Sequence, residues 1–101
     1  MPKASELLRA ARALWNKFSW SSKRPIETDA DGNVVAICAG TAIAIAVNEK
    51  GNNPRAVWHL GNVMGGLAPD FNNTPGRTAE EVFAAFDQAA LNAEAEERAA
   101  A

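Results

Sequence analysis

The sequence predicts a mostly helical α+β domain, with about four helices around a buried central apolar helix and one small β-hairpin. The segment from Val34 to Val47 carries no charged side chain. It has no face to offer water, so the rest of the chain must wrap it. Leu7, Ala11, Leu14, Trp15 and Phe18 recur at spacings of three and four, as do Val82, Phe83, Phe86, Ala89, Ala90 and Ala93. Those spacings put an apolar stripe on each of two helices. Asp31-Gly32 stands between β-prone residues, a strong short-range signal for a hairpin turn.

The first helix is expected from about Glu6 to Phe18, with Ser5 as N-cap and Glu6 placed to suit the helix dipole. Trp20 follows in a Ser-rich break, where it and Trp15 supply apolar area as core and lid residues. Lys23 to Val35 reads as the hairpin, turning at Asp29-Ala30-Asp31-Gly32-Asn33. A calcium loop fails here, because the closing acidic position falls on Cys38. The apolar stretch is ambiguous: Ile43 to Val47 alternates like a strand, while its alanines and its length favour a buried helix from about Ile37 to Glu49. Asn53-Pro54 opens another helix, with Val57, Leu60, Gly61 and Met64 inward, Trp58 and His59 on the flank, and Gly65-Gly66 at its end. Leu67 to Arg77 is an irregular link. Thr78-Ala79-Glu80-Glu81 is a capping box that starts the last helix. Residues 1–93 thus form one globular domain, and 94–101 an Ala- and Glu-rich tail that frays for want of an apolar anchor.

Charge narrows the partners. The net charge of -2 argues against a nucleic-acid binder. It is unevenly placed: Met1 to Pro25 carries +5, Ile26 to Arg77 carries -2, and Thr78 onward carries -5. The basic first helix and the acidic last helix can lie antiparallel and answer each other, or the basic face can meet an acidic partner. A single cysteine rules out an internal disulfide and suits a reducing compartment. Without an apolar signal segment or a span long enough for a bilayer, the expectation is a cytoplasmic protein without membrane contact. Apolar residues make up 48% of the chain, but so many are alanine that the core is thin and a homodimer would add burial.

The run Phe71-Asn72-Asn73-Thr74-Pro75-Gly76-Arg77-Thr78-Ala79-Glu80-Glu81-Val82 resembles the closing signature of a family of small uncharacterised proteins of actinobacteria and their phages. Leu7-Leu8, Asp31-Gly32 and Cys38-Ala39 with Gly40 follow the order of that family's leucine-rich helix, Asp-Gly turn and cysteine-led apolar helix. This sequence has Phe71 where the family commonly has Trp, and Asn73 where Asp is common. The resemblance covers most of the chain. It implies the same fold and a phage or actinobacterial setting, but no reaction.

No residue pattern demands a cofactor or a metal, and one Cys with one His cannot furnish the usual zinc ligands. The reading that follows is a non-catalytic protein that binds and modulates a host protein. Its interaction residues would be Arg9, Arg12, Lys17, Lys23 and Arg24 on the basic side, with Phe71 and Arg77 on the link. Arg77 could instead hydrogen-bond carbonyls of the link and hold it on the last helix. A different class, a small cysteine hydrolase, would use Cys38 as nucleophile and His59 as base, with Asn62, Asp70 or Asn72 orienting the imidazole. The aliphatic surroundings of Cys38 favour an inert structural thiol. The six acids after Thr78 also allow a nucleic-acid mimic.

Overall fold

A computed structural model describes all 101 residues. The order of elements is α1 (Ala4–Ala13), a 3-10 turn (Leu14–Asn16), β1 (Ser19–Trp20), β2 (Ile26–Thr28), β3 (Val34–Ile37), α2 (Ala39–Lys50), α3 (Pro54–Met64), α4 (Ala68–Asn72) and α5 (Ala79–Ala100). The architecture is the expected mostly helical α+β fold, with five helices and a small three-stranded sheet. No helix is long and apolar enough to cross a membrane.

α1 begins two residues earlier than the cap signal suggests. Ser5 lies inside the helix and is buried, because Glu97 of α5 accepts both its backbone N–H and its hydroxyl. A carboxylate from the far end of the chain therefore does what a local cap would do. The helix also stops short of Phe18. Its last turn tightens at Leu14, whose carbonyl accepts from both Lys17 and Phe18, and the chain swings out into β1.

β1 escapes sequence reading because it is two residues long and its partner is remote. It pairs in parallel with β3, Ser19 beside Ala36 and Trp20 beside Ile37, while β2 pairs antiparallel on the other edge. The β2–β3 connection is the predicted turn. Asp29 Oδ1 accepts from the N–H groups of Asp31 and Asn33, and Gly32 takes φ +82°, where other residues are strained.

The apolar stretch from Val34 to Val47 is not one element. Ile37 ends β3, Cys38 caps, and only then does α2 begin, so the helical reading holds from Ala39 onward. α2 is also less wrapped than its composition suggests. It buries Ala39, Ala42 and Ala46, leaves Ile43, Ile45 and Val47 half-buried, and exposes Ala44. Small side chains make that exposure cheap. The large fully buried side chains lie elsewhere, Leu7 and Leu8 on α1, Leu60 on α3, and Val82 and Phe86 on α5.

The centre of the core is aromatic. The Trp15 ring meets Phe86 edge-on at 5.0 Å and Phe83 at 5.2 Å, and its indole N–H donates to the Ile37 carbonyl. One side chain thus links α1, α5 and the sheet. These rings supply the area that the alanines of a thin core cannot.

α3 and α5 start where their signals place them. Asn53 Oδ1 accepts from Arg55 N–H with Pro54 at the first helical position, and Gly65 closes α3 in the left-handed region at φ +75°. Thr78 and Glu81 form the reciprocal capping box. The expected tail is helical. α5 runs to Ala100 because Glu94, Glu96 and Glu97 find polar partners on α1 and α3. The α1–α5 contacts run 5 to 97, 9 to 94 and 12 to 87, the antiparallel pairing of basic and acidic helices that the charge blocks allow. The irregular link contains one short helix, α4.

Phe86→Ala should lower unfolding free energy by about 3–5 kcal/mol in a denaturant titration, since a fully buried ring leaves a cavity. Thr78→Ala should cost about 1 kcal/mol by the same measurement, through loss of the α5 cap. The Glu81, Glu94 and Glu96 carboxyls are held below their ordinary values, chiefly by the Thr78 backbone N–H, Arg9 and Arg55 respectively. Depressed acids stabilise the fold above the ordinary glutamate value, and that contribution is lost as pH falls through their folded values. Thermal stability measured against pH should therefore drop on acidification below the glutamate range.

Candidate functional site

The junction where β3 becomes α2 lies beside a cleft of about 240 Å³, lined among others by Lys23, Arg24, Cys38, Thr41, Pro69 and Asn73. Its geometry follows from how α2 starts. Cys38 is the N-cap residue, and its Sγ accepts from the Thr41 N–H at 3.4 Å. The Ala42 N–H bonds the Cys38 carbonyl, and the Ala39 N–H donates to Asn72 Oδ1 at 2.9 Å. Of the four amides that open the helix, only that of Gly40 is left without a protein acceptor. The cleft floor is therefore closed by internal hydrogen bonds, and its charge comes from Lys23 and Arg24 at the rim.

Asn72 is the hidden organiser of this region. It is completely buried. Its Oδ1 accepts from Trp20 Nε1 as well as from Ala39, and its Nδ2 donates to the carbonyl of Ser21 and to Asn73 Oδ1. Both lone pairs and both protons of the amide are used.

The sequence-predicted interaction residues separate into two groups. Arg9 forks onto Glu94 with bonds of 3.2 and 2.7 Å, and Arg12 lies over the Phe83 ring with Asp87 at 3.5 Å. Arg77 stacks on the Phe71 ring at 3.6 Å, donates to the Phe71 carbonyl at 3.0 Å and reaches Glu81 at 3.2 Å. That is the structural reading of Arg77: it holds the link against α5. Phe71 is half-buried beneath it. Lys17, Lys23 and Arg24 are exposed and no acid of the chain pairs with them. The hairpin that follows Lys23 and Arg24 presents Ile26, Val34 and Val35 to solvent at 46%, 38% and 42% exposure.

Cys38 and His59 are not joined by a hydrogen bond. Cys38 is half-exposed in the cleft. His59 lies on the inner face of α3 rather than its flank, buried, with Nε2 2.9 Å from Glu96 Oε2 in a close polar contact that lacks hydrogen-bond alignment. Its burial was signalled by spacing, since His59 follows Ala56 by three residues and precedes Val63 by four. Asn72, one candidate for orienting an imidazole, is spent on Trp20, Ala39 and Ser21. No local signal marked its burial.

Cys38 should react with a small thiol reagent in the folded protein, though more slowly than in denaturant, because its sulfur is half-covered and accepts the Thr41 amide. Complete protection until unfolding would contradict the open cleft.

Neither a curated protein nor a solved structure matches the chain. Residues 1–92, from the start of the chain through most of α5, match the family described as "Family of unknown function (DUF6197)", and the chain belongs to that family.

Proposed function

We propose that this is a small non-catalytic interaction protein that binds another protein through the hairpin corner beside the cleft. The observation that carries the reading is that the hairpin exposes three aliphatic side chains, Ile26, Val34 and Val35, and is preceded by two cations, Lys23 and Arg24, that no acid of the chain answers. Apolar side chains bordered by cations suit a partner with an apolar centre and an acidic rim. Arg9, Arg12 and Arg77 are engaged within the chain, so the contact surface narrows to the hairpin corner, with Lys17 as an outlying cation. The resemblance carried by Phe71 to Val82 supports an actinobacterial or phage setting. There the partner would be a host protein in the cytoplasm, or a second copy of this chain.

Affinity capture from an actinobacterial lysate tests this directly. A specific partner should be retained by the wild-type chain and by the surface control Gln88→Glu. It should be lost by Lys23→Glu/Arg24→Glu and by Val35→Asp. Equal retention by all four chains would overturn the assignment of this surface.

One observation favours a second reading, a cysteine hydrolase: Cys38 is half-exposed at the start of a helix in a cleft rimmed by two cations. Against it stands His59, occupied by Glu96. A native thiol reacting faster than the unfolded one would bring this reading forward; a slower one leaves the interaction protein.

A further inference from the structure

The last two turns of α5 are held differently from the rest of the helix. From Val82 to Ala93 its inner face is apolar and buried. Beyond Ala93 no buried apolar side chain follows, and the contacts to the domain are polar. Glu94 takes two bonds from Arg9, Glu96 takes two from Arg55 and lies against His59, and Glu97 takes the backbone N–H and hydroxyl of Ser5. Ser5 and Arg9 of α1, with Arg55 and His59 of α3, thus form a donor-lined cationic groove holding three carboxylates of one helix end.

We propose that residues 94–100 are an electrostatic latch that opens as a unit, the helix fraying back to Ala93, and uncovers this groove between α1 and α3. The acidic segment is the groove's built-in occupant. Isolated exposed ion pairs hold little, and the end of a helix without apolar anchorage opens at low cost. The segment therefore stays helical only while its carboxylates act together.

The charged groups that face it are Arg9 and, before the helix, Lys3 at α1, and Arg55 on α3, with the titratable imidazole of His59 beside it; α5 itself adds Arg98. Glu6 of α1 pairs with Lys50 instead. Protonating Glu94 and Glu96, whose carboxyls Arg9 and Arg55 hold below the ordinary glutamate value, removes the attraction, as does screening by salt.

Hydrogen exchange on the full chain, read by peptide mass spectrometry, tests the latch. In Glu94→Gln/Glu96→Gln/Glu97→Gln at neutral pH, amides of 94–100 should lose protection by at least about tenfold relative to wild type, while 82–90 keep theirs. The wild-type chain should show the same local loss in 1 M salt, an arm that stands even if the variant fails to fold. Carbethoxylation of His59 should accelerate in parallel. The proposal is overturned if 94–100 stay protected in the variant and in salt. It is also overturned if 82–90 lose protection equally, or if 94–100 are already unprotected in wild type at low salt.

Discussion

One buried amide ties the small sheet to α2 and α4, while the Trp15 indole ties it to α5. Asn72 ends a five-residue helix in the middle of a loop, yet it bonds β1 through Trp20, the chain after β1 through Ser21, and the first turn of α2 through Ala39. The donors on Trp20 and Ala39 fix which end of the amide is oxygen, so the orientation is dictated by its surroundings. Each bond contributes only about 1 kcal/mol net, but a buried donor left without its acceptor costs about 1–3 kcal/mol. The arrangement is therefore more costly to break than it was favourable to make. β1 has only two residues to pair with β3, and Asn72 adds side-chain bonds to both it and the start of α2.

The helical half is organised by charge at its edges and by aromatic rings at its centre. Trp15, Phe83 and Phe86 fill the space between α1 and α5 that alanines leave open. Around them, Arg9, Arg12 and Arg55 reach acids of α5. Exposed pairs of this kind add little stability individually, and here they match the antiparallel run of α1 against α5. The same engagement occupies Arg9 and Arg12 of the basic first helix, while Lys23 and Arg24 before the hairpin have no acid of the chain to answer them.

What the sequence disclosed and what it concealed divide by range. The Thr78–Glu81 box, the Asn53-Pro54 start and the Asp29–Asn33 turn are written in residues that touch within a few positions, and each reads correctly. The antiparallel α1–α5 pairing was legible because whole charge blocks, not single contacts, announce it. Ser5 misleads because its partner, Glu97, is 92 positions away. The tail looks unanchored for the same reason, since Arg9 and Arg55 lie 85 and 41 positions from the acids they bind. Asn72 looks like any loop asparagine, and its partners are 33 to 52 positions distant. Of the interaction residues, only those that find no partner in the chain remain available, and partners are a property of the fold.

Unfolding of Asn72→Ala in denaturant, followed together with the Cys38 thiol rate, tests the anchoring by Asn72 most directly. Three groups, the part-buried Trp20 indole N–H and the buried Ala39 N–H and Ser21 carbonyl, lose their partner at once. The predicted result is a loss of at least about 2 kcal/mol, with Cys38 reacting faster as the start of α2 loosens. A change within about 0.5 kcal/mol, the range of an ordinary surface substitution, with an unaltered thiol rate would contradict it.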